Sequence, residues 1–182
     1  MSLTPSKMVE LGSPMPAFHL RDAHGQPVSS EQYLDTPLLV TFICNHCPFV
    51  KHIAYAFSDF AQEYRDHGLA IVAINSNDFS THPEDSPEHM IEEARRRGYT
   101  FPYLVDETQR VARAFGASCT PDFFLFDRHH RLAYRGQFDA SRPSKDLPAT
   151  GKDLRAAADA VLSGETPDPD QMPSIGCNIK WK

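Results

Sequence analysis

The chain has 182 residues, enough for one domain with a substantial buried core. Its 41% hydrophobic and 10% aromatic content excludes a disordered chain. A net charge of −6 without any Lys/Arg-rich run argues against nucleic acid as a partner.

Residues 1–15 read as a polar lead-in. They carry no apolar stretch of the signal-peptide kind, and no segment is apolar enough to span a bilayer. The expectation is a cytoplasmic protein with no membrane partner, in which four cysteines do not form a structural disulfide framework.

Ala17 to Arg21 alternates as a strand, Asp22 to Gln26 supplies a turn, and Val28 opens a return strand. Leu38 to Ile43 is a continuous apolar run, as in a strand covered on both faces. From Cys47, apolar residues at Val50, Ile53, Ala54, Phe57, Phe60, Ala61 and Tyr64 follow helical spacing, with Gly68 as the stop. Leu69 to Ile74 is a second buried strand, running into polar Asn75 to Asp78 and a mobile-looking loop over Phe79–Asp85.

Ser86-Pro87-Glu88 opens a helix that Gly98 closes. Phe101 to Val105 reads as a short strand. Asp106 and Gln109 resemble a capping box for a helix running to Phe115. Phe123 to Phe126 and Leu132 to Tyr134 form a strand pair around a turn at Asp127 to His130. A last helix covers Lys152–Leu162, and the tail 164–182 packs on or near the domain. Strand–helix alternation followed by a hairpin predicts an α/β fold: one domain over 1–182, a mixed central sheet, and helices on both faces. Its ligand positions lie beyond the carboxyl ends of the parallel strands.

Cys44-Asn45-His46-Cys47 sits at the first such strand-to-helix junction. Backbone N–H groups and the helix dipole favour an anion there, so Cys44 is expected to be the exposed, easily ionised thiol. Cys47, read as one turn inside the helix, resolves the mixed disulfide that Cys44 forms. His46, if protonated, stabilises the Cys44 thiolate; otherwise it is a solvated side chain.

With this C-x-x-C and Thr120-Pro121 before a later strand, the chain resembles the thioredoxin-like superfamily. The Phe18–Val28 hairpin and long connections resemble its branch related to peroxiredoxins and membrane-tethered disulfide reductases. Cys44 to Val50, together with Pro173 to Asn178, is similar to the AhpC/TSA-related thioredoxin-like group. The resemblance implies a three-layer α/β/α fold with an N-terminal β-hairpin extension. It also implies that Pro121 is cis and that the backbone of Thr120 pairs with a substrate chain, while Pro121 shapes the groove. Thioredoxins place a buried acid on the strand beneath the cysteines. Here that strand offers only Thr41, so deprotonation of Cys47 must come from water or from another element.

Pro37, Thr41 and Cys44 fit the spacing P-x-x-x-T-x-x-C of peroxidases, but Pro37 precedes the strand and Thr41 lies within it. A peroxidase also needs an arginine at the thiolate, for which Arg113, Arg135 and Arg142 are the candidates. Cys119 is either a third redox thiol or a buried small residue. Cys177 is either an extra resolving thiol or an anchor packed beside Trp181. Metal binding is the competing class, with Cys44, Cys47, Cys119 and His46 or His52 as zinc ligands, and His129 or His130 as a copper ligand by analogy. One C-x-x-C without a second pair is weak evidence, so no metal is expected.

These residues predict a thiol–disulfide oxidoreductase cycling Cys44/Cys47, with no cofactor beyond the cysteines. Its partners are a protein or small-molecule disulfide and a thiol electron donor. Thiol peroxidase activity is the alternative, and metal binding a lesser one.

Overall fold

The computed structural model describes residues 3–182. Its centre is a seven-stranded mixed sheet in the order β3-β2-β6-β5-β4-β8-β9. β4 (Leu38–Phe42), β5 (Ala70–Asn75) and β6 (Tyr103–Val105) run parallel. β8 (Asp122–Phe126) and β9 (Leu132–Gly136) add an antiparallel hairpin on the β4 side. The N-terminal hairpin, β2 (His19–Asp22) with β3 (Pro27–Ser29), extends the other edge against β6.

Period-two alternation along β4 explains why the sheet is covered on both faces. Leu39 joins a cluster with Ile53, Phe57 and Phe60 of α1 (Pro48–Asp66) and with Leu154, Ala157 and Val161 of α4 (Lys152–Leu162). Leu38, Val40 and Phe42 point the opposite way, to Phe18 and to Ala112 and Phe115 of α3 (Arg110–Phe115). α2 (Pro87–Arg97) places Met90 against Ile43, Val50 and Tyr103, just above the strand-to-helix junction. Each buried Phe or Leu contributes roughly 1.5–3 kcal/mol, so this two-sided core fixes where β4 ends and α1 begins.

One local expectation is corrected, and two regions gain strands that the sequence does not announce. α3 has no capping box: Gln109 is its left-handed N-cap, and the Asp106 carboxylate accepts the N–H groups of Val111 and Ala112 directly. The lead-in is not all irregular, because β1 (Leu3–Pro5) is a strand. The tail is more than a loop that packs nearby. β10 (Ile175–Asn178) pairs with β1 on one side and with β7 (Cys119–Thr120) on the other, forming a second sheet of three short strands. That sheet lies over the mouth of the junction.

Candidate active site

β4 delivers Cys44 to the sheet's carboxyl edge, and the chain turns through Asn45 and His46 into α1. Cys47 is the N-cap of α1, with Pro48 in the first turn, where a missing N–H costs nothing. Cys47 is therefore at the mouth of the helix rather than one turn inside it, and Cys44 lies outside the helix altogether. Both are enclosed, at 1% and 0% exposure, so Cys44 is not the exposed thiol that the sequence suggested.

This placement reverses the expected ionisation. The Cys47 sulfur shares hydrogen bonds with Cys44, with Cys177 and with the Val50 backbone N–H, and these pull its pKa down to about 5 against the opposing effect of burial. Cys44 is pushed well up, first by burial, then by its hydrogen bond to Cys47 and by the charge of Asp85. Both shifts run the same way, favouring the negative charge on Cys47, at the end of the helix where its dipole is positive, and the proton on Cys44.

The cis Thr120–Pro121 bond lies across the two sulfurs. Thr120 Oγ1 is 3.5 Å from Cys44 Sγ, and its carbonyl oxygen is 3.4 Å from Cys47 Sγ. The Thr120 backbone is not open for a substrate strand, however. In the β7–β10 ladder Thr120 is the register partner of Cys177, so the chain's own tail occupies that edge. Cys177 Sγ is 2.7 Å from Cys47 Sγ. Trp181 stacks under Arg113.

The acid that β4 lacks comes from a loop. Asp85, buried at the end of a 3-10 turn over Pro83–Asp85, accepts from His46 Nδ1 at 2.5 Å, Asn45 N at 2.7 Å, Asn77 Nδ2 at 3.0 Å and Asn75 Nδ2 at 3.2 Å. Burial alone would raise its pKa, but these hydrogen bonds hold it below the usual carboxylate value. In turn Asp85 raises the His46 pKa, outweighing partial burial. His46 stacks on His82, and its side chain keeps 22% exposure, so it forms the half-open wall beside Cys44. Asn45 is fixed by the Tyr103 hydroxyl at 2.8 Å and by the Glu84 carbonyl at 2.9 Å. The 79–85 segment is thus the clamp of the site, anchored at Asp85. The sequence places the Phe79–Asp85 loop with Asn75–Asp78 at the carboxyl edge of the sheet beside Cys44, but does not single out Asp85 within it.

The other candidates separate cleanly. Cys119 is buried and donates to the Pro121 carbonyl at 3.6 Å, and burial drives its pKa far up. Thr41 points away from the junction, donating to the Asp122 carbonyl at 3.1 Å. Arg135 binds the Val9 carbonyl and Gln171, Arg142 binds Gln137 and nearby carbonyls, and Arg113 covers Trp181. His52 bonds Ser141, and His130 meets the Thr36 carbonyl at the opposite end of β4. Of the proposed metal ligands, Cys44 and His46 come together, joined by Asp85, with donor atoms within 4.8 Å of one another. Both Asp85 oxygens are already committed to the four hydrogen bonds above.

The chain is similar to several known proteins. A hypothetical protein from Sinorhizobium meliloti, of known structure, is 51% identical with a TM-score of 0.96, covering 98% of each chain. Peroxiredoxin Q of Suaeda salsa chloroplasts is 29% identical over 81% of this chain and 69% of its own. The thiol-disulfide oxidoreductase ResA of Geobacillus thermodenitrificans is 27% identical over 71% of this chain and 70% of its own. The fold, with its junction cysteines facing a cis-proline, is thioredoxin-like. The AhpC/TSA family model matches residues 11–135, and the chain belongs to the AhpC/TSA family.

Proposed function

We propose that the protein is a thiol–disulfide oxidoreductase that cycles Cys44 and Cys47 between dithiol and disulfide, without a bound cofactor. The observation that carries this reading is geometric: Cys44 and Cys47 meet at the β4–α1 junction, and the cis Thr120–Pro121 segment lies against both sulfurs at 3.5 and 3.4 Å. Cys47, held at the α1 N-terminus with its pKa pulled down to about 5, stands as a thiolate ready to resolve a mixed disulfide on Cys44. The Cys44 thiol gives up its proton as its sulfur attacks a substrate disulfide and expels one substrate thiolate. That thiolate takes up the Cys44 proton, the Cys47 thiolate attacks the Cys44 sulfur of the mixed disulfide, and the second substrate sulfur leaves as a thiolate. An external thiol donor closes the cycle. The reading takes the reducing cytoplasm as its setting, where such donors keep cysteines reduced.

The relatives named thiol-disulfide oxidoreductase support this class of reaction. The test is reduction of a model disulfide such as insulin. Cys44→Ser is expected to lose it, and Cys47→Ser to accumulate mixed disulfides on Cys44. Full activity in both variants rules the reading out.

Peroxide reduction is the second reading, favoured by the enclosure of both sulfurs, which a small oxidant enters more easily than a protein loop, and by the likeness to peroxiredoxin Q. Cys44 would take one peroxide oxygen as sulfenic acid, and Cys47 would condense with it, releasing water. Hydrogen peroxide consumption that depends on Cys44, with the sulfenic acid trapped in Cys47→Ser, would establish it.

A further inference from the structure

The oxidoreductase reading uses two sulfurs, yet Cys47 touches a third. We propose that Cys177 is a second resolving thiol, and that the tail strand β10 receives the disulfide from the Cys44/Cys47 pair as a Cys47–Cys177 disulfide. The proposal rests on the function above and extends it.

Three observations place Cys177 there. Its sulfur is 2.7 Å from Cys47 Sγ, a direct sulfur–sulfur contact. Both sulfurs face the first turn of α1, where the Phe49 N–H serves Cys177 and the Val50 N–H serves Cys47. Finally, β10 is held in register from several sides. Ser174 Oγ donates to the Pro121 carbonyl at 2.6 Å, and Cys177 is the partner of Leu3 as well as of Thr120. Beyond the strand, Lys180 N donates to Asn77 Oδ1 at 2.8 Å, and its carbonyl accepts from Asp78 N and Gln109 Nε2. Gly176 permits the close approach: a Cβ there would fall 1.9 Å from the Thr120 carbonyl oxygen. A tail anchored this tightly presents one thiol to the resolving cysteine in a fixed geometry.

The step is an exchange without net oxidation. After a substrate disulfide has been reduced, the pair is the Cys44–Cys47 disulfide. The Cys177 sulfur attacks Cys47 Sγ; the Cys44–Cys47 bond breaks, the Cys47–Cys177 bond forms, and the electron pair leaves with Cys44. The proton released by Cys177 ends on Cys44, whose own preference is for the protonated form. The thiol beside the His46 wall is thereby free again, while the oxidation is stored between helix and tail. An external dithiol then reduces it by attack on Cys177.

The test uses the full-length chain. Reduced protein is treated with one equivalent of oxidised glutathione, quenched in acid, alkylated, and mapped by mass spectrometry without reduction. The expected majority species links Cys47 to Cys177 with Cys44 alkylated. In Cys177→Ser the link shifts to Cys44–Cys47, and Cys44→Ser still yields Cys47–Cys177; circular dichroism verifies that each variant folds. A Cys44–Cys47 link in the wild type, with Cys177 alkylated throughout, overturns the relay and leaves the oxidoreductase reading standing. The absence of any link among the three removes both.

Discussion

At the scale of single residues, charge in this site follows backbone position rather than order in the motif. Cys47 gains the α1 N-terminus because Pro48 starts the helix one residue later; Cys44, three residues earlier, gains a carboxylate neighbour instead. Thiolate absorbance in the reduced protein should therefore rise with a midpoint near pH 5. Cys44→Ala, which removes the largest stabilising hydrogen bond to that anion, should move the midpoint up by about one unit or more, read by absorbance or by the pH dependence of iodoacetamide labelling. The same logic applies to Asp85. Asp85→Asn keeps the shape but leaves His46 without its anion, at a cost of about 1–3 kcal/mol where buried donors lose their partner. The His46 titration, followed by NMR, should fall towards its ordinary range. Because Asp85 raises the His46 pKa, the ion-pair part of that stabilisation is complete below the ordinary histidine value and disappears as pH climbs through the raised one. The cost of the substitution should accordingly shrink in alkaline solution.

At the scale of elements, the parts visible in the sequence are those whose own side chains determine them. β4 and β5 announce themselves as apolar runs, α1 by its spacing and by Gly68, and α2 by Ser86, Pro87 and the left-handed Gly98. α4 covers the expected Lys152–Leu162. β1 and β10 were hidden because three or four residues such as Leu3–Pro5 and Ile175–Asn178 carry no period of their own. They become strands only through each other and through β7. Asp85 was hidden for a related reason: its worth comes from Asn45, Asn75 and Asn77 converging on it, and no spacing rule encodes that. The thiol pair was legible, but the strand that covers it was not. Gly176 is the residue that allows the covering. Gly176→Ala should force β10 off the Thr120 carbonyl at about 1–3 kcal/mol, the usual cost of overpacking. Hydrogen exchange should then accelerate at the amides of Thr120, Cys177 and Ile179 while those in α4 stay protected.

At the scale of the whole molecule, one buried carboxyl should shape stability against pH. Asp122 begins β8 beneath the cis-proline, is fully enclosed, and has one oxygen, Oδ1, without a hydrogen-bond partner. Burial pushes its pKa up to about 7, although the N–H groups of Ser118, Cys119 and Phe123 work the other way. The folded chain therefore keeps this proton long after the unfolded chain has released its own near the ordinary carboxylate value. The stabilisation is complete below that ordinary value, is lost as pH rises towards 7, and is gone above it. A displacement of about three units corresponds to roughly 4 kcal/mol across this window. Asp85 and Asp139 are displaced downward and act with the opposite sign at lower pH, so the wild-type curve alone does not isolate Asp122. The comparison with Asp122→Asn does, because an amide keeps the polar shape and cannot ionise. Urea unfolding of the two proteins should agree to within about 1 kcal/mol near pH 4, where Asp122 is neutral when folded, and diverge progressively up to pH 7, the variant being the more stable. The gap should then hold level to pH 8.5. A constant difference at every pH would mean that Asp122 is ionised in the native state, with Oδ1 satisfied by water.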